Sequence, residues 1–75
     1  MDKNEIKELI QYWYIESIID DHSYFLVYDK DRLRVFKFED IPKGTKQTIT
    51  INKRFLLDQI IDRTIEYING DSSTV

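Results

Sequence analysis

A chain of 75 residues makes one domain near the lower size at which folding needs no outside help. The absence of cysteine excludes a disulfide framework and any thiolate metal site, so stability must come from a dense core, which a 41% hydrophobic content and ten aromatic residues allow. The apolar runs are too short to span a bilayer, and Met1 leads into charged residues rather than a signal peptide, so the sequence predicts a cytoplasmic protein with no membrane partner.

The net charge of −3 conceals a segregation along the chain: residues 1–29 sum to −5, residues 30–54 to +5 and residues 55–75 to −3. Such asymmetry bears on partners and association rather than on fold. Isoleucine occurs twelve times and alanine never, a composition that fits an AT-rich coding sequence, as in a low-GC bacterium or its phage.

The chain opens with a capping-box pattern, in which Asp2 can accept from the Glu5 N–H and Glu5 can reach back to Asp2. Ile6, Leu9, Ile10 and Trp13 follow at helical spacing and predict a helix over about residues 3–13. From Tyr14 the pattern turns strand-like: YIESII, SYFLVY and LRVFKF are short, aromatic and β-branched, separated by polar DDH and DKDR. Spacings this short favour antiparallel hairpins. IPKG supplies a turn through Pro42 and Gly44, and QTITIN is the fourth strand, with Ile49 and Ile51 on one face.

Leu57, Ile60, Ile61, Thr64, Ile65 and Ile68 form the apolar stripe of a last helix, from about Arg54 to a stop at Asn69-Gly70. Asn52 is its candidate N-cap, although Lys53 and Arg54 in a first turn would oppose the helix dipole. The domain then covers residues 1–70, with residues 71–75 as a frayed tail. Tyr24, Leu26 and Tyr28 alternate with Phe25 and Val27, and Leu33 and Val35 with Phe36 and Phe38, so the strands are apolar on both faces. A sheet with one wet face alternates more cleanly. The sequence therefore predicts an α+β fold: an N-terminal helix, a four-stranded antiparallel sheet curled toward a small barrel, and a C-terminal helix. Uncovered strand faces also predict a homodimer.

SIIDDHSYFLVYD, LRVFKFEDIPKGTKQTITI and the amphipathic helix after them resemble a family of short bacterial proteins of unknown function. The resemblance covers roughly residues 15–68, and its most specific part is the turn Asp40–Lys46, D-I-P-K-G-T-K. It implies a small barrel-like sheet followed by one C-terminal helix, and no chemistry, because the family has no established activity. This chain departs from the family pattern at Asp21-His22 and at Gln47, where glycines are usual, and the N-terminal helix is an addition.

Candidate chemistry is sparse. His22, the one histidine, follows two aspartates, but further ligands are missing from the segment and a polar turn accounts for it. Asp29-Lys30-Asp31 begins like a calcium loop, yet Leu33 and Arg34 occupy positions that need an oxygen ligand and a glycine. Two glycines leave no room for a phosphate-binding loop or a nucleophile elbow. Asp58, Asp62 and Glu66 form an acidic i, i+4 ladder that could meet a basic partner or imitate spaced phosphates, or be a solvated face.

The strongest constellation is Arg32, Arg34, Phe36, Lys37, Phe38, Lys43, Lys46, Lys53 and Arg54. Cations that track phosphate beside rings that stack on bases suit a single nucleic-acid strand. The competing reading puts Phe36 and Phe38 in the core and leaves the cations as a protective edge, since so small a chain cannot spare two Phe from burial. The sequence thus predicts a non-catalytic protein-binding module or inhibitor of phage or mobile-element origin, without cofactor or metal. A nucleic-acid-binding small barrel using the basic block 30–54 is the alternative.

Overall fold

The computed structural model describes residues 2–30 and 32–73. In chain order it comprises helix α1 (Lys3–Ile19), strands β1 (Tyr24–Asp29) and β2 (Arg32–Phe36), a 3-10 turn (Phe38–Asp40), strand β3 (Ile49–Ile51) and helix α2 (Leu57–Ser73). Asp2 caps α1 as its composition suggests, but its carboxylate accepts from the Asn4 N–H at 3.3 Å rather than from Glu5.

The expected first strand, YIESII, is the second half of α1. Its buried side continues the helical stripe through Ile10, Trp13, Tyr14 and Ser17, at spacings of three and four. Ser17 occupies a core position at 2% exposure because its hydroxyl donates to the Tyr14 carbonyl at 2.6 Å, which removes the cost of burying it. The helix then ends in a Schellman turn: the His22 N–H donates to the Ser17 carbonyl at 3.1 Å and the Asp21 N–H to that of Ile18 at 3.4 Å. Asp21, at φ 52, holds the left-handed position where glycine is usual. The DDH segment is therefore a helix stop and not a hairpin.

Three strands remain, in the order β2-β1-β3, with both pairings antiparallel. The sheet is open, so neither the four-stranded curled sheet nor the barrel-like form implied by the family resemblance is present. Asp29 faces Arg32 across the first hairpin, and Lys30 in its turn has φ 49. The register puts Tyr24, Leu26, Leu33, Val35, Ile49 and Ile51 on one face, where they pack against Ile6 and Ile10 of α1 and Ile60 and Ile61 of α2. Phe25, Val27, Arg34, Phe36 and Thr50 share the other face.

That second face is where the barrel or a partner was expected. It is covered by the chain itself. Residues 37–48 must cross β1 to carry the chain from β2 to β3, and they run over this face: Val27 and Phe36 line a common hollow with Pro42, Gly44 and Thr45. The Phe38 ring meets that of Phe25 with centroids 6.0 Å apart, and Val27 is 6% exposed. Gly44, at φ 87, closes the crossover's turn, in which the Thr45 N–H donates to the Pro42 carbonyl at 3.3 Å.

Asn52 does not start α2. Its side-chain carbonyl accepts from the Arg54 N–H at 2.8 Å, and its amide donates to the Ser23 hydroxyl, tying the end of β3 to the start of β1. The helix begins three residues later than the sequence suggests, at Leu57, and runs through Gly70 to Ser73 instead of stopping at Asn69-Gly70. Residues 71–73 of the expected frayed tail are thus helical, and 74–75 lie outside the described residues. The expected α2 stripe packs inward, with Thr64 fully buried and its hydroxyl donating to the Ile60 carbonyl at 2.8 Å.

One side chain of α2 enters the sheet's hydrogen-bonding directly. β3 begins opposite Leu26, so the β1 edge beyond it has lost its strand partner. Continuing the register would set Tyr28 opposite Gln47. Instead the Tyr67 hydroxyl accepts from the Tyr28 N–H at 3.3 Å and donates to the Gln47 carbonyl at 2.9 Å, bridging the gap. Tyr67→Phe keeps the ring against Tyr28 and removes both bonds; it should lower unfolding free energy by about 1–3 kcal/mol, read from denaturant midpoints at unchanged slope. An unchanged midpoint would show that water replaces the hydroxyl at no cost.

Candidate binding site

The nine sequence-predicted residues divide into three groups. Arg34, Phe36, Lys43 and Lys46 gather around a hollow of about 440 Å³ between the outer sheet face and the crossover. β2 supplies the first pair, two residues apart and so on the same face; the Pro42–Thr45 turn brings the two lysines to the opposite rim. Phe38, Lys53 and Arg54 border a second hollow of about 430 Å³, with Phe25 and His22. Arg32 and Lys37 line neither.

Phe36 and Phe38 part company. Phe36 is half-buried at the end of β2, and the Arg34 guanidinium lies 4.9 Å from its ring centroid, a cation–π stack that occupies the ring's open side. Phe38 lies outside the strand, on the 3-10 turn, and is 72% exposed. The expectation that both belong to the core fails for Phe38, because the strand ends at Phe36 and the chain turns away to begin its crossover. Lys37 leaves the strand with it, and its carbonyl accepts from the Asp40 N–H at 3.0 Å.

Electrostatically this side of the molecule is under-compensated. Among the described residues the one ion pair is Lys53 with Asp21, at 3.0 Å between exposed side chains. Its hydrogen bond and charge hold the Asp21 carboxyl below the usual carboxylate range. Among the described residues the cations around the first hollow form no ion pair, and Asp29 is the one carboxylate in its lining. Glu39 and Asp40 stand in the chain between the cations of β2 and Lys43 and Lys46 of the crossover. The acidic ladder Asp58, Asp62 and Glu66 is exposed throughout, along the outer side of α2.

One feature of this region has no signal in the sequence. The Tyr24 hydroxyl donates to the Asp20 carboxylate at 2.6 Å, and this bond, reinforced by burial, pushes the phenol up to about 12. The spacing of four residues gave no signal, because Asp20 ends a helix and Tyr24 begins a strand. His22, whose ring lies 5.8 Å from that of Tyr24, is exposed beside the smaller hollow. Among the described residues no three His, Asp or Glu side chains converge as a metal ion would require, and no helix is long and apolar enough to cross a membrane.

No protein-family model, curated protein or solved structure matches the chain.

The Tyr24–Asp20 pair has a defined pH signature. Because the folded phenol titrates above its ordinary value of 10, the stability it contributes is complete below pH 10 and is lost as pH rises from there to about 12. Thermal unfolding followed across that window should fall more steeply for the native chain than for Asp20→Ala, whose Tyr24 titrates nearer 10. Identical slopes would show that the hydrogen bond does not persist in solution.

Proposed function

We propose that the protein is a non-catalytic protein-binding module that docks an acidic partner surface at the basic hollow between its outer sheet face and the crossover, acting as an inhibitor where that surface is a working one. The observation that carries this reading is the hollow between the sheet and the crossover: Arg34, Lys43 and Lys46 converge on it, outnumber its one carboxylate, Asp29, and form no ion pair among the described residues, beside Val27 and Phe36. Charged rim and apolar floor together suit a protein surface carrying Asp or Glu beside an apolar side chain. Partners of this kind are steered by charge and held by the apolar contact.

The same residues serve nucleic acid less well. A single strand needs free ring faces and an unbroken cationic track. Arg34 already covers Phe36, Phe38 leaves one exposed ring, Glu39-Asp40 divides the cations along the chain, and the overall charge is −3. The basic block still makes nucleic-acid binding the second reading.

The two readings separate in one experiment. The protein is immobilised at about 0.15 M salt and offered a nuclease-treated bacterial extract, with the variant Arg34→Glu/Lys46→Glu alongside. A defined protein retained by the native chain and released by the variant is the expected result. In parallel, labelled single-stranded and duplex oligonucleotides should not saturate the native protein. Saturable submicromolar oligonucleotide binding that falls steeply with salt, with no protein retained after nuclease, would overturn the proposal in favour of the second reading.

A further inference from the structure

We propose that the outer face of α1 is a self-association surface whose occupant is a second copy of this chain. α1 is apolar on two opposite sides. Ile6, Ile10 and Ser17 point into the core, while Tyr12, Ile15 and Ile19 recur at i, i+3 and i+7 on the far side and are 57%, 55% and 69% exposed. Ile18 borders this stripe at 49% exposure. The Tyr14 hydroxyl, one turn before Ile18 on the same flank, donates to the Phe55 carbonyl at 2.9 Å and so brings Leu56, 67% exposed, toward that border. Of the seven large apolar side chains exposed among the described residues, all but Phe38 belong to α1 or to this adjoining corner.

An apolar stripe on a helix is normally covered, and α1 carries a second one over its last two turns. No described element covers this side. Side chains of this size, half to two-thirds exposed, amount to roughly 500 Å², the upper end of what a monomer leaves open. With the polar rim of Glu8, Gln11 and Glu16 the face approaches the roughly 800 Å² that each partner contributes to a stable interface.

The stripe itself suggests the occupant. Its centre carries no charge and no hydrogen-bonding group beyond the Tyr12 hydroxyl, so it offers little to select a foreign partner. It does complement itself. A two-fold axis near Ile15 lays one α1 antiparallel on the other, packs Tyr12 against Ile18 and Ile19 of the second copy, and closes the assembly at two chains. The basic hollow beside the crossover lies across the fold from α1 and stays accessible in both copies. The expected homodimer is thereby moved from the strands, whose faces are covered, to the first helix.

Sedimentation equilibrium from about 1 to 100 μM tests this with the native chain, Ile15→Glu and Arg34→Glu/Lys46→Glu. The native chain and the basic-face variant should show a reversible equilibrium between the 9.1 kDa monomer and twice that mass. Ile15→Glu, which sets two carboxylates against each other at the axis, should weaken dimerisation roughly 100-fold or more. Ile15 is half exposed, so the variant should keep its near-ultraviolet circular dichroism, which verifies its fold. A native chain that stays at 9.1 kDa throughout, a dimer untouched by Ile15→Glu, or open-ended growth with concentration would each overturn the inference.

Discussion

β1 carries large apolar side chains on both faces, and a three-stranded sheet offers water access to each unless something is laid over it. Leu26 is fully buried on one side and Val27 nearly so on the other, within one residue of each other. Much of the architecture follows from that demand. The helices cover the Leu26 side through Ile10, Ile60 and their neighbours. The strand order β2-β1-β3 obliges residues 37–48 to pass over β1, and this passage is what shields Val27. The connection that topology requires and the cover that hydrophobicity requires are the same twelve residues. A barrel would have met the same demand by closure, but with the first expected strand folded as helix there are too few strands to close.

The crossover also decides where charge goes. Its lysines cannot turn into a layer that is already apolar, so Lys43 and Lys46 stand at its rim, opposite Arg34 on β2. On the other layer α2 is acidic, and α1 carries three glutamates against two lysines. The segregation visible along the chain as −5, +5 and −3 becomes a segregation between two sides of a thin, two-layered molecule with principal extents of 39 × 28 × 18 Å. A basic hollow and an apolar helix back are the features on which the proposals rest.

The elements most legible in the sequence were those with long, unambiguous period. The α2 stripe and the β1–β2 hairpin appear where their patterns put them, whereas only Ile49–Ile51 of the expected strand QTITIN pairs in the sheet. YIESII did not, because its outward Ile15, Ile18 and Ile19 make the segment look β-branched while its inward position is filled by Ser17, which no hydrophobic pattern counts. The same exposed isoleucines that disguised the helix are those that now lack a cover. At the candidate site, the face shared by Arg34 and Phe36 could be read from alternation alone. Its junction with Lys43 and Lys46 could not, since it depends on how a twelve-residue connection folds back. The Asp21 helix stop was hidden because aspartate stands where glycine would announce it, and the Tyr67 bridge because it joins residues 39 and 20 positions apart.

The arrangement of both layers depends on residues 37–48 shielding the outer face of β1. The chain has no cysteine, so Val27→Cys would introduce a single thiol at the buried centre of that face. Its rate of labelling by a thiol-specific reagent, measured well below the concentration at which copies would associate, reads the cover directly. The predicted result is labelling limited by unfolding, with a rate that rises with denaturant as the global transition does. Labelling in native buffer as fast as that of an unfolded thiol would mean that the crossover does not lie on β1, and that the second face is left for some other layer to cover.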